Sequence, residues 1–547
     1  MHCTRSARPV LLILLLALAP AALSFRPQAA RPRLVVVLSV DQMRADYLDR
    51  FGSMFHGGLA RLAREGTVFT EARHDHAGTE TAPGHATLST GRFPSHTGIV
   101  ANNWYDRREG RSVYAVDDTG SAIPGLPPEL GRSPKRLLTD ALGEWLKRAS
   151  PQSKVISVAS KDRAAILMGG KRPDGAWWYN ITTGKYQTSA YYSSRYPAWV
   201  DSLNRANLAE QHLQAGWSLL LPDSAYGLSG PDSVPQENDG VHVTFPHRLD
   251  TAFTGSLATS YNELLYTPFA EELVLAFARG AIVNEAMGTD TSPDILWVGL
   301  SSGDYVGHRY GPSSREVEDY YLRLDAYLGE FFAFLDARVG AGQYTVVLTA
   351  DHGVVPFPEQ LAREGKPARR LTRTGLSGDF AKVDAAAAKQ LSIKGPIISG
   401  YAEGFILHYS AAAAHGLAPA RVQDAIARQL KTLPYIADAF TAAELASGNA
   451  RGREYFAAFQ HSFYQGRSPD VTPRFKEYVL FTNTDNVTGT SHGTPYDYDQ
   501  RVPLVFLNAG MPTGKKNERV RTVDLAPTLA KLLGVPVPAG LDGKALN

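Results

Sequence analysis

Leu34-Val35-Val36-Val37-Leu38-Ser39-Val40-Asp41 is an almost unbroken apolar run that stops at a carboxylate. A strand with one wet face alternates apolar and polar side chains. A continuous run reads instead as a strand buried on both faces, as in a parallel sheet covered by helices. The same form recurs at 155–158 before Lys161, at 295–300 before Asp304, at 344–348 before Asp351 and at 502–507. Helical patterns lie between these runs. Ser133-Pro134 reads as an N-cap with proline in the first turn, and Leu137, Leu138, Leu142, Trp145 and Leu146 follow at helical spacing. Val317, Tyr320, Tyr321, Leu324, Leu328, Phe331 and Leu335 predict an amphipathic helix over 314–338. Strands alternating with helices predict an α/β three-layer sandwich with a mostly parallel central sheet.

In such sheets ligands collect at the carboxyl ends of the strands. Asp41, Lys161, Asp304 and Asp351 all follow strand candidates, so residues far apart in sequence are expected at one edge. Two stretches break the rhythm: 165–260, rich in Tyr, Trp, Ser, Gly and Pro, and 355–490. Both read as insertions forming a cap over that edge of a single catalytic unit spanning 31–547.

The chain has 547 residues, 44% of them hydrophobic and 20% charged, with a net charge of +2. That balance leaves no basic stripe for a nucleic-acid polymer. At the N-terminus Arg5 and Arg8 precede an apolar run from Val10 to Leu18 and a small-residue exit at Pro20-Ala21-Ala22-Leu23-Ser24. This reads as a signal peptide over 1–24, implying a periplasmic or secreted protein with no stable membrane insertion once it is removed. The apolar run is shorter than the ~20 residues of a spanning helix. Cys3, the only cysteine, lies inside that segment, so the mature chain has no disulfide.

The chemistry gathers in Asp41, Asp304 with His308, Asp351 with His352, and His492. Any one of these has an ordinary reading as a turn, a cap or a surface histidine. Together they supply six nitrogen or oxygen donors, enough for two divalent ions with open positions, and imidazole with carboxylate suits zinc. A hydroxyl nucleophile is offered by Thr79-Glu80-Thr81-Ala82-Pro83-Gly84-His85, a loop entering a helix whose N-terminus attracts an anion. Thr81 stands nearest the proline, and Thr79 and Thr87 are the alternatives. Read alone, without the metal ligands elsewhere, Thr81 is better taken as an N-cap.

These segments resemble the alkaline phosphatase superfamily, in its branch of threonine-nucleophile, phosphate-irrepressible bacterial alkaline phosphatases. The carrying residues are Ser39-Val40-Asp41-Gln42-Met43-Arg44, Thr81-Ala82-Pro83-Gly84-His85, Asn102-Asn103-Trp104-Tyr105-Asp106 and Ser160-Lys161-Asp162-Arg163. Asp304-Tyr305-Val306-Gly307-His308, Asp351-His352-Gly353 and Ser491-His492-Gly493-Thr494 continue them in the family's order. The resemblance implies one zinc on Asp304, His308 and His492, and a second on Asp41, Asp351, His352 and the Thr81 hydroxyl. It implies in-line attack by Thr81 on small phosphate monoesters through a phosphothreonine, with Asn102, Lys161 and Arg163 on the phosphate. No ligand set for a third, magnesium site is evident.

A phosphodiesterase or nucleotide pyrophosphatase of the same superfamily is the alternative. Those enzymes resemble Thr-Phe-Pro-Asn-His at the nucleophile and lack the Lys-x-Arg pair, whereas Ala82, Gly84, Lys161 and Arg163 stand here. A sulfatase needs a Cys/Ser-x-Pro-x-Arg motif, which is absent, and a phosphoglycerate mutase would be cytoplasmic. A non-catalytic metal-binding protein on the same fold would have no use for the complete nucleophile and phosphate clamp. Nothing in the sequence sets the oligomeric state.

Overall fold

The computed structural model describes residues 1–2, 31–448, 452–482 and 485–547. The predicted signal peptide lies outside these apart from its first two residues. Nine strands make the central sheet: β1 (Leu34–Val40), β2 (Thr67–Arg73), β3 (Val155–Ala159), β4 (Gly175–Asn180), β5 (Lys185–Gln187), β6 (Asp294–Leu300), β7 (Tyr344–Thr349), β8 (Leu504–Leu507) and β9 (Gly514–Arg521). Their spatial order is β9-β2-β8-β7-β1-β6-β3-β4-β5. Only β8, against β2 and β7, and β5, against β4, pair antiparallel. The remaining pairs are parallel.

All seven residues of β1 are buried. Leu34, Val36, Leu38 and Val40 enter one apolar cluster with the helices Phe269–Asn284 and Arg315–Leu335, while Val35 and Val37 enter another with the helices Thr81–Thr90, Leu142–Ala149, Asp162–Gly169 and Leu525–Leu532. A period of two on a strand covered on both sides makes the sandwich three layers thick. The long predicted helix is present as Arg315–Leu335, and the Ser314 side chain accepts the Val317 N–H at its start.

Two local expectations fail. The helix predicted from Ser133 starts only at Leu142. Leu138 gives its N–H to the Thr97 carbonyl at 2.9 Å, and the Ser133 hydroxyl donates to Asp118 at 2.7 Å. The Leu138 bond takes a group that the helix ladder would need, while the Ser133 hydroxyl still accepts the Lys135 N–H at 3.2 Å. The stretch 165–260 is also not one insertion, because 175–187 forms β4 and β5 of the central sheet. Their buried Trp177, Trp178 and Tyr186 resemble loop composition in a linear reading but pack in the core.

Within 355–490 lies a second, four-stranded antiparallel sheet, in the order Ile398–Tyr401, Phe405–Leu407, Val471–Phe475 and Ile436–Thr441. The helices Arg373–Leu391 and Pro419–Leu430 share its own apolar core of Val383, Leu391, Phe405, Val422, Ile426 and Val471.

Just past β2, buried His74 ties the sheet to the C-terminal segment. Its Nε2 meets the Ala350 carbonyl at 3.0 Å and its Nδ1 the Thr522 hydroxyl at 2.9 Å. A carbonyl only accepts, so Nε2 carries the proton and Nδ1 accepts from Thr522. Burial lowers the pKa from 6.5 to about 4. The unfolded chain therefore takes up a proton near pH 6.5 that the native state refuses until about pH 4. Stability from this group is complete above pH 6.5 and is lost on acidification toward pH 4, by up to about 3 kcal/mol. Urea unfolding of wild type and His74→Gln between pH 8 and 4 should show a stability gap that narrows as the pH falls. A pH-independent gap would contradict this role.

Candidate active site

The three central strands of the parallel core end in carboxylates. Asp41 follows β1 and gives its N–H to the Leu300 carbonyl at the end of β6. Asp304 lies in the first turn of the helix Ser302–Tyr310 after β6, with His308 one turn on, and Asp351 and His352 follow β7. His492 arrives on the loop before β8. Ligand atoms of Asp41, Asp351 and His352 form one group within 4.8 Å, and those of Asp304, His352 and His492 form another. His308 Nε2 is 3.1 Å from Asp304 Oδ1 and His492 Nε2 is 3.5 Å from the same oxygen. His352 thus stands against both groups, its ring stacked on His492 with centroids 3.5 Å apart.

The donors fit divalent metal. Each of His308, His352 and His492 directs Nδ1 to a backbone carbonyl, those of Thr490, Gly353 and Thr79, at 2.7, 3.0 and 2.7 Å. Nδ1 therefore carries a proton in each; in neutral His352 and His492 the lone pair of Nε2 is turned toward carboxylate oxygens, an arrangement that is repulsive unless a cation lies between, whereas Asp304 raises the His308 pKa against the effect of burial. Asp41 Oδ1, Asp351 Oδ2 and His352 Nε2 are buried with no hydrogen-bond partner. Burial, then Asp351, pushes the Asp41 carboxyl well above the usual range, and burial raises Asp351 to about 6. Burial also works against the charge of Asp304, but His308 and Lys161 outweigh it and hold that carboxyl well below the ordinary value. Burial keeps His352 and His492 low, hence neutral and ready to bind a metal.

Thr81 is the first residue of the helix Thr81–Thr90, and the cap position belongs to Glu80, so the hydroxyl has no capping bond to make. It lies 3.3 Å from Arg163 Nη2 and 3.5 Å from Lys161 Nζ. Thr79 instead donates to the Thr494 carbonyl, and Thr87 Oγ1 is buried without a partner. Of the three threonines, Thr81 is the one the structure brings to the cationic pair. Lys161 Nζ also bridges the groups, 2.7 Å from Asp41 Oδ2 and 2.5 Å from Asp304 Oδ2. Asn102 Oδ1 accepts the Ala82 N–H at 2.9 Å, which leaves its amide NH₂ as the available donor.

Several residues support these groups through contacts that the sequence does not show. Glu80 Oε2 accepts the Asn102 N–H at 2.8 Å and so holds the residue that in turn holds the helix start. Arg163 Nη1 rests 3.3 Å from the Tyr114 hydroxyl, which donates to Asp162. Gly84 faces the Asp351 backbone so closely that a Cβ would lie 2.3 Å from the Asp351 carbonyl oxygen. Gln42 donates from its backbone to Asp351 and from its side chain to Asp304. Gly84 and Gln42 sit inside motifs readable in the sequence, but their contacts are visible only in three dimensions.

Known proteins share this framework. The family model described as type I phosphodiesterase / nucleotide pyrophosphatase matches residues 35–493. Alkaline phosphatase PafA of Elizabethkingia meningoseptica is 34% identical over 526 residues, covering 94% of each chain. Alkaline phosphatase PhoK of a Sphingomonas species is 35% identical over 532 residues, 95% of this chain and 91% of that one. The crystal structure of PafA matches with a TM-score of 0.86 over 95% of this chain and 99% of its own. A murine ectonucleotide pyrophosphatase/phosphodiesterase 5, at 15% identity and a TM-score of 0.51, shares the fold. By sequence and by architecture, this chain belongs to the type I phosphodiesterase / nucleotide pyrophosphatase family of the alkaline phosphatase superfamily, beside the bacterial alkaline phosphatases.

Proposed function

We propose that this protein is an exported alkaline phosphatase that hydrolyses small phosphate monoesters through a phosphothreonine on Thr81. The observation that carries the reading is the Thr81 hydroxyl at a helix N-terminus, within 3.5 Å of both Lys161 and Arg163, beside two carboxylate–imidazole groups. Asp41, Asp351, His352 and the Thr81 hydroxyl would hold one zinc ion, and Asp304, His308 and His492 another. Bound there, zinc supplies Lewis acidity, favouring the threonine alkoxide and stabilising charge on the leaving oxygen.

The chain's own groups do the positioning. The N-terminus of the Thr81–Thr90 helix and the cations of Lys161 and Arg163 draw the phosphoryl group against the hydroxyl. Thr81 Oγ gives up its proton to solvent and forms a bond to phosphorus as the ester P–O bond breaks, and the alcohol leaves with a proton from solvent. Water then cleaves the phosphothreonine, restoring the hydroxyl and releasing phosphate. Asn102, Lys161 and Arg163 donate to the non-bridging oxygens, where charge is stabilised without covalent help.

A cavity of about 630 Å³ adjoins Glu80, His492 and Thr494 and reaches Tyr401, Phe475 and Phe481 of the 355–490 segment. It would receive the organic part of the ester, with 355–490 as a cap over the strand ends. Among the described residues no helix is long and apolar enough to cross a membrane. The signal peptide read over 1–24 supports export to the periplasm or beyond.

A second reading, diester hydrolysis, is favoured by the family model, and some diester activity is expected alongside. The two are separated by charge. A monoester dianion has one more unesterified oxygen than a diester, so donors on that oxygen lower its transition state selectively.

Chelation should abolish activity and zinc should restore it, with elemental analysis giving two zinc ions per active chain. Full turnover in metal-free protein would refute the metal assignment. Thr81→Ala should lose several orders of magnitude in kcat while Thr81→Ser keeps part of it, because serine supplies the same hydroxyl. Loss confined to Thr79→Ala or Thr87→Ala would move the nucleophile. Replacing Lys161 and Arg163 together by alanine should cut monoester kcat/KM far more than diester kcat/KM, each charged hydrogen bond being worth about 1.5–3 kcal/mol. Equal losses would favour the diesterase reading.

A further inference from the structure

Gln42 has a backbone that its type rarely adopts. Its φ is +67°, in the left-handed region where a side chain is unfavourable and glycine is the ordinary occupant. It is also 2% exposed, directly after Asp41 at the end of β1. Strain of this kind persists where the surroundings need the conformation. Here the conformation aims two donors in two directions. The backbone N–H reaches Asp351 Oδ1 at 3.2 Å, and the side-chain Nε2 reaches Asp304 Oδ1 at 2.7 Å. One residue thereby holds a carboxylate of each candidate metal group.

The neighbouring helix makes room for it. At Gly307, one residue before His308, an added Cβ would lie 1.9 Å from Gln42 Oε1, and the three nearest atoms all belong to Gln42. The amide oxygen thus fills the place of a missing side chain on the helix that bears Asp304 and His308, and its nitrogen faces Asp304.

We infer that Gln42 is a positioning residue that couples the two metal groups, orienting Asp304 and Asp351 for their ions through one strained peptide unit and one amide. The inference rests on the two-metal reading above. It has a specific consequence for substitution. Gln42→Gly keeps the backbone donor to Asp351 and removes the left-handed strain, but loses the donor to Asp304. A residue needed only for folding would show its loss in the metal-free protein alone, whereas a positioning residue would also leave the ion more loosely held.

The test is zinc affinity of the purified full chain by chelator competition, with the thermal midpoint of the metal-free protein measured in parallel. Gln42→Gly should weaken zinc binding about 10–100-fold, the usual cost of removing an outer-shell partner, in protein whose metal-free midpoint shows that it is still folded. Gly307→Ala should weaken zinc similarly by displacing the amide. In the Gln42→Gly background, where the amide is gone, Gly307→Ala should add little, a non-additivity that an independent structural role would not produce. Wild-type zinc affinity in Gln42→Gly overturns the inference, as does full additivity of the two changes. If the wild type itself retains no zinc, the two-metal reading fails first and the inference falls with it. Retention by wild type and variants alike removes the inference and leaves that reading standing.

Discussion

Asp41, Asp304 and Asp351 stand at the ends of three adjacent strands, β1 between β6 and β7, and each is at most 4% exposed. Burying like charges together is costly unless positive charge is supplied, and the upward shifts of Asp41 and Asp351 record that cost. Lys161 reaches two of the three carboxylates, and a single ammonium does not balance three anions. The surrounding structure follows from this imbalance. The imidazoles of His352 and His492 are turned inward by their carbonyl partners, and buried oxygens of Asp41 and Asp351 are left without hydrogen-bond partners, so a cation held there, as proposed, would couple its binding to the stability of the core. With Cys3 as the only cysteine, no intrachain disulfide shares the task.

The proposed phosphate side of the site is assembled by helix ends rather than by the sheet. Thr81 opens one helix, and Lys161 and Asp162-Arg163 open another, Asp162–Gly169. Both N-termini bring partial positive charge to the same place. Gly84 permits the first helix to rest on the Asp351 backbone, so Thr81, the proposed nucleophile, and the Asp351 carboxylate are held through a backbone contact that any larger residue would disturb. Asn102 and Glu80 then hold the start of that helix from outside. Rigid placement of these groups matters because phosphoryl transfer depends almost wholly on position and charge.

Much of this was legible in the linear chain. Continuous apolar runs ending in polar residues marked β1, β3, β6 and β7, because a strand buried on both faces has no polar positions to spare. The aspartates and histidines were legible as a set, because together they supply the donors that the proposed two-metal site would need. The choice of Thr81 over Thr79 and Thr87 was open in the sequence, and it is proximity to Lys161 and Arg163 that favours it. Strand direction was less visible. β8 has the same apolar composition as its parallel neighbours yet runs against them, since direction is set by the connection and not by the residues.

What the sequence by itself determined was the layered α/β class and the inventory of donors, since both depend on residue type and short-range spacing. The tertiary structure alone decided which donors face each other, why the helix expected at Ser133 begins at Leu142, and that 175–187 belongs to the sheet. It also decided that Gln42, to which the sequence assigns no role of its own, reaches carboxylates 262 and 309 residues away. Contacts across such separations leave no periodic trace, because they arise from the order of strands in the sheet rather than from the order of residues in the chain.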